Sequence, residues 1–197
     1  MSLDSINNWG FLTVTENQRL GLIGGYLALN HLGRPLEFHC TTPVRANRAQ
    51  EILYGTTLNA FLYGEQIAQA LIKRAKVKPC AVLTDCSQVL TVQEFVEMPI
   101  CYINRESSEN EKKLAIYASE KNDSSSEDHD GMDSIPCFST FRWSEHGISR
   151  YKLMLPELVN GITAETVNEL KNVSSTIDFL EPFERIRLAI EEAQKAA

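Results

Sequence analysis

The segment from Leu58 to Ala75 constrains this chain more than any other. At about 3.6 residues per turn, Leu58, Phe61, Leu62, Ala68, Leu71, Ile72 and Ala75 fall on one apolar stripe, the pattern of a helix facing a core. Glu65 interrupts that stripe, seven residues from both Leu58 and Ile72. A carboxylate placed there must be paired, protonated or ligating something, because burying it alone is costly. Arg45 and Arg48, just upstream and followed by Glu51, are the candidate partners.

The rest of the first half punctuates clearly. Gly10–Thr15 and Leu20–Asn30 read as strands, with Gly24-Gly25 marking a bulge or a close backbone approach. The run from Asn30 to Pro35 has turn chemistry, with Gly33 free to take positive φ. Leu36–Thr42 returns as a hairpin partner, and its alternation sets Leu36, Phe38 and Cys40 against Glu37, His39 and Thr41. Asn47 and Gln50 have the spacing of a capping box for a short helix stopping at Gly55. The long helix ends in Lys73, Arg74, Lys76 and Lys78, a charged last turn. Cys80–Thr84 is apolar on both faces, as a central parallel strand should be. A short helix near Ser87–Leu90 and a strand at Pro99–Ile103 follow.

Farther on, the pattern thins. Ser119–Ser134 carries six acids and one lysine, a local charge of −5 within a chain total of −7, so the body is close to neutral. That segment is too polar to order itself. A strand at Ile135–Phe141 is expected, then an unpatterned stretch holding Trp143, His146, Arg150 and Tyr151. A helix at Thr163–Val173 follows, and a last one opens at Pro182 with Phe183, Ile186, Ile190 and Ala193 at helical spacing. The expected architecture is α/β, with α+β as the alternative: a mixed sheet flanked by helices in one domain over 1–197. Its core unit spans 10–103, an acidic disordered insertion spans 104–134, and 135–197 completes the domain.

The stretches Gly24–Leu29, Gly33–Cys40 and Asn47–Gly55 resemble a family of uncharacterised bacterial proteins with no assigned activity, over roughly residues 10–103. That resemblance implies a recurring module and no reaction. The element order also resembles the cytidine-deaminase-like fold. Its zinc chemistry needs H-x-E and P-C-x-x-C, whereas here five residues separate Cys80 from Cys86 and no H-x-E occurs.

Other chemistry fares no better. His39 and Cys40 are adjacent in a strand, so they point to opposite faces and cannot share a metal. Asp128-His-Asp130-Gly131 fails the calcium-loop pattern, since Ser126 and Cys137 would fall at its first and last ligand positions. Cys86 opens a helix, where thiol pKa falls, but Asp85 beside it pushes the other way. No metal or cofactor is expected. The five scattered cysteines and the absence of an apolar leader point to the cytoplasm, and no apolar run approaches the ~18 residues needed to span a membrane. With a near-neutral body, no nucleic-acid partner is expected. Self-association into a homo-oligomer is left open.

Two functional expectations follow. The favoured one is a non-catalytic binding or interaction module, with Arg45, Arg48 and Glu65 as its ligand-binding site. The alternative is an enzyme on a small phosphate or carboxylate substrate, with Glu65 as acid/base and the two arginines as its clamp. Against both stands a structural role for Glu65, either as a salt bridge or as the first carboxylate of a new helix after a break at Gly64.

Overall fold

The computed structural model describes residues 8–105, 143–156, 164–175 and 177–195. The strand expected at Ile135–Phe141 and all but the first two residues of the 104–134 insertion lie outside them.

A seven-stranded mixed sheet organises the chain, in the order β3-β2-β1-β4-β5-β7-β6. The strands are β1 (Trp9–Asn17), β2 (Gly21–Leu29), β3 (Pro35–Cys40), β4 (Ala81–Thr84), β5 (Ile100–Arg105), β6 (Trp143–Ile148) and β7 (Tyr151–Pro156). β1, β2 and β3 form an antiparallel meander. The Asn17 side-chain oxygen closes its first turn by accepting from the N–H groups of Arg19 and Leu20. Gly33 takes φ +73° in the second turn, as its position predicts. β4 pairs in parallel with β1 and with β5, and all four of its residues are buried, which the apolar run Cys80–Thr84 required. β7 and β6 extend the same sheet antiparallel to β5.

The β6–β7 hairpin is the element that the sequence reading left unpatterned. β7 does alternate, burying Tyr151, Leu153 and Leu155, but among the described side chains of β6 only Ile148 joins the core. One half of the hairpin therefore carries no period-2 signal.

Helices cover both faces, making an α/β architecture. On one face lie α3 (Ala164–Ser174) and α4 (Glu181–Lys195), packed through Leu170, Phe183, Ile186 and Ile190 against Trp9, Phe11, Leu27 and Leu83. Burying a side chain such as Phe183 or Ile186 is worth about 1.5–3 kcal/mol. On the other face a π-helix (Ala60–Gln69) runs into α2 (Ala70–Arg74), beside a 3₁₀ helix (Ser87–Phe95). These bury Ile67, Ala68, Leu71 and Leu90 against Leu12, Tyr26 and Val82. α1 (Arg48–Tyr54) buries none of its residues. It is held by the expected capping box, in which Asn47 Oδ1 accepts from Gln50 N at 2.9 Å and Gln50 Oε1 accepts from Asn47 N at 3.0 Å.

β3 alternates as predicted, and the alternation does not bury its apolar residues at Leu36 and Phe38. Leu36 and Phe38 are exposed, while Glu37 and His39 are half-buried. The cause lies in what covers each side of the edge strand. The Glu37 carboxylate accepts from the backbone N–H groups of Lys76 and Val77 (2.8–3.0 Å) and bonds the His39 ring. Burial would raise the Glu37 carboxyl, but those N–H groups and His39 outweigh it and lower it from 4.5 to about 2. A depressed carboxyl contributes stability that is fully present above about pH 4.5 and is lost as the pH falls toward about 2. The wild type should therefore lose stability relative to Glu37→Gln across that window, with the two curves running parallel above it. Urea unfolding at a series of pH values measures the difference, and curves parallel throughout would refute the assignment.

Candidate ligand cleft at the carboxyl edge of the sheet

β1 and β4 lie side by side and parallel, yet the chain leaves β1 toward β2 and leaves β4 toward β5. Their carboxyl ends thus form a topological switch point, where open α/β sheets place their ligands. Two groups of side chains meet there, one on each face.

On the α4 face, Asp85 follows the last residue of β4 and is ion-paired with Arg187. Arg187 Nη1 also donates to Glu184 at 2.8 Å, and Nη2 reaches Thr13 Oγ1 at 3.5 Å. The Asp85 side chain is 15% exposed and that of Arg187 33%. The second Asp85 oxygen, Oδ1, is buried and finds no donor among the described residues. The pair fastens α4 to the carboxyl end of β4.

On the opposite face stand Glu16, Tyr63 and Cys86. Cys86 donates from its thiol to Gln88 Oε1 (3.2 Å). Burial, with Asp85 adding to it, pushes that thiol up to about 11 against the opposing pull of the Val89 and Gln88 N–H groups and Arg187. The helix-start effect is thus outweighed, and Cys86 remains a thiol at neutral pH. Tyr63 is likewise raised to about 12, by burial first and then by Cys86 and Glu16. Both groups keep their protons at neutral pH.

Beside them an open cleft of about 650 Å³ runs between the end of β1, the start of β2 and the π-helix. Its polar lining includes Glu16, Gln18, Arg45, Glu51, Asn59 and Tyr63. Arg45 is the anchored residue. The backbone of Val44 exchanges two hydrogen bonds with Leu22 (2.9 and 2.8 Å), which pins the loop to the start of β2. Gly21 makes room: it adopts φ +104°, and a Cβ there would stand 2.5 Å from both Arg45 Cγ and Val44 O. The arginine stem lies in that space, and Nη2 donates to Gln18 O at 3.2 Å.

The expected Arg45/Arg48/Glu65 group does not form. Arg48 bonds Glu51 at 2.9 Å across one helical turn, with its side chain 82% exposed. Glu65 is exposed and has no hydrogen bond or ion pair among the described residues. It lines a second, smaller pocket that shares no residue with the Arg45 cleft. The helix does not break at Gly64; it widens to π hydrogen bonding over 60–69. The expected stripe is buried at Phe61, Leu62, Ala68, Leu71 and Ile72, joined by Ile67 and by Gly64, onto which the 3₁₀ helix packs and where a Cβ would lie 2.1 Å from Thr91 Oγ1. Glu65 alone among the residues placed within the stripe lies at the exposed rim. Sequence reasoning missed Glu16, Gly21, Tyr63 and the Asp85–Arg187 pair. For Asp85 one signal existed: a carboxylate directly after a fully apolar strand.

No protein-family model matches the chain, and no curated protein matches it. Among solved structures it is similar to human ENDOV, at 12% identity and a TM-score of 0.46, covering 98% of this chain and 87% of that one. It is also similar to Ciona intestinalis Endonuclease V in complex with a 24mer DNA containing an inosine followed by a ribo-adenosine (11% identity, TM-score 0.35, 61% of this chain). A third is Marinitoga piezophila Argonaute in complex with 5' OH guide RNA (8% identity, TM-score 0.37, 90% of this chain). The chain spans 59% of the Ciona protein and 27% of the Argonaute. Two of these three hold DNA or guide RNA, which overturns the expectation that excluded a nucleic-acid partner. The error was to argue from summed charge, since contact with nucleic acid depends on the charge of one face. Lys73, Arg74, Lys76 and Lys78, all exposed, show how locally charge can gather on a near-neutral body.

Proposed function

We propose that this chain is a non-catalytic binding module, and that Arg45 receives the carboxylate or phosphate of a small ligand in the cleft at the carboxyl edge of the sheet. The observation that carries this reading is the anchoring of Arg45. Its stem is seated on Gly21 and its loop is bridged to β2, while one of its five N–H donors is used, on Gln18 O. An arginine held by strands and offering a planar fork suits two-point recognition of an anion. Glu16 and Glu51 in the same cleft would accept hydrogen bonds from hydroxyl or amino groups of the ligand. The binding reading is preferred to the enzymatic one because Tyr63 and Cys86 hold their protons, Asp85 is paired, and Glu65 lies in another pocket.

A thermal-shift screen against inorganic phosphate, nucleotides, sugar phosphates, dicarboxylates and short DNA and RNA oligonucleotides tests it. A ligand at about 100 times its dissociation constant adds roughly 2.7 kcal/mol, an upward shift of about 5–10 °C for a chain of this size. Arg45→Gln should abolish the shift while leaving the unliganded midpoint within about 1–2 °C, because exposed substitutions typically change stability little. Stabilisation by an anion that survives Arg45→Gln would rule the site out, as would silence across the whole screen.

A further inference from the structure

The pocket that received Glu65 has a composition of its own. It holds about 210 Å³, below the range of drug-sized sites and of the order of one compact headgroup. Three aromatic side chains wall it: Tyr54 and Phe61, stacked with ring centroids 4.0 Å apart, and Phe95, which is exposed. Two carboxylates, Glu65 and Glu94, stand at it, and no cationic side chain lines it among the described residues. The remaining polar groups offer acceptors. The Thr57 hydroxyl donates to Tyr54 O at 2.9 Å and the Thr91 hydroxyl to Gln88 O at 2.9 Å, so their lone pairs are what remains for a ligand.

We propose that this pocket binds an organic ammonium group. A cation is favoured by the two carboxylates and by the negative faces of the rings. A metal ion ligated directly by the wall is disfavoured, because it needs about six or more oxygen ligands and most of this wall is carbon. The group that satisfies carboxylates and rings together is an ammonium carrying carbon substituents, either on a free alkylamine or at the end of a lysine side chain. The site is independent of the Arg45 cleft, with the opposite charge preference and a separate set of lining residues.

Titration of the full chain with tetramethylammonium and with choline, followed by NMR of the ligand methyl protons, tests this. Saturable binding is expected, with the methyl resonances moved upfield by the ring faces. The uncharged analogue 3,3-dimethylbutanol should bind at least about tenfold more weakly, since the cation–ring attraction disappears with the charge. Glu65→Gln and Phe95→Ala should each weaken choline at least about fivefold. Both positions are exposed, so the variants should fold, which their unfolding curves verify. Equal affinity for the neutral analogue, unchanged affinity in both variants, or no saturable binding of any ammonium overturns the proposal. A trimethyllysine peptide and free putrescine form the last two arms. Tighter binding of the peptide assigns the ammonium to a protein side chain, and tighter binding of putrescine assigns it to a free amine.

Discussion

A valine at position 24 should lower the stability of this chain by about 3 kcal/mol or more, or about 6–12 °C in unfolding midpoint. Gly24 lies in β2, and a Cβ there would stand 2.1 Å from Ile67 Cγ2 and 3.0 Å from Leu71 Cδ1. Ile67 is fully buried, so it cannot swing aside without moving the π-helix away from the sheet. Gly25 faces the opposite layer, where its Cβ would stand 2.2 Å from Ile186 Cγ2 on α4. Because successive strand residues point to opposite faces, two adjacent glycines let helices approach the same strand closely from both sides. Gly24→Val should therefore loosen the π-helix layer, and Gly25→Val the α4 layer. Gly24→Ala should show a smaller loss that Ile67→Ala partly relieves when the two are combined, since the second change removes the atoms in conflict. Urea unfolding of these variants, with Ile67→Ala alone closing the cycle, decides the matter. If Gly24→Ala proved as stable as the wild type, the close approach would not be a packing requirement.

Arg187→Met should cost about 2–3 kcal/mol, somewhat below the 3–5 kcal/mol of a sealed pair. The discount reflects the third of the Arg187 side chain that stays in water. The loss arises less from the missing attraction than from the Asp85 carboxylate, which would keep one buried oxygen without a donor and lose the cation serving the other. Combining Arg187→Met with Asp85→Asn should recover at least half of the deficit, because the double variant buries no uncompensated charge. A double-mutant cycle by urea unfolding reads the coupling directly. Simple additivity of the two substitutions would show that the pair does not join α4 to β4.

Elements whose signals are local were legible in the sequence. Asn47 and Gln50 are three residues apart and cap α1 as expected; Gly33 takes its positive φ; the run from Cys80 to Thr84 forms the buried parallel strand; Phe183, Ile186 and Ile190 bury the inner face of α4. Even the close approach at Gly24-Gly25 could be anticipated, because a glycine pair inside an apolar strand has few other uses. The β6–β7 hairpin escaped, because only one of its strands carries an alternating pattern.

Glu65 marks the boundary between the two kinds of knowledge. Helical periodicity placed it among buried residues, on the assumption of 3.6 residues per turn and of a buried face defined by apolar side chains alone. The π-helix breaks the first assumption and Gly64 the second, since a glycine contributes nothing to an apolar pattern and yet admits the closest neighbour. Sequence alone determined the α/β class, the central strand, the caps and the turns, all of which depend on interactions over a few residues or on a simple period. Tertiary structure alone decided that Glu65 faces water beside a buried stripe, that Arg45 and Glu65 serve separate pockets, and that Asp85 meets an arginine 102 residues away. Those outcomes depend on how layers rotate and approach one another, and no single segment records that.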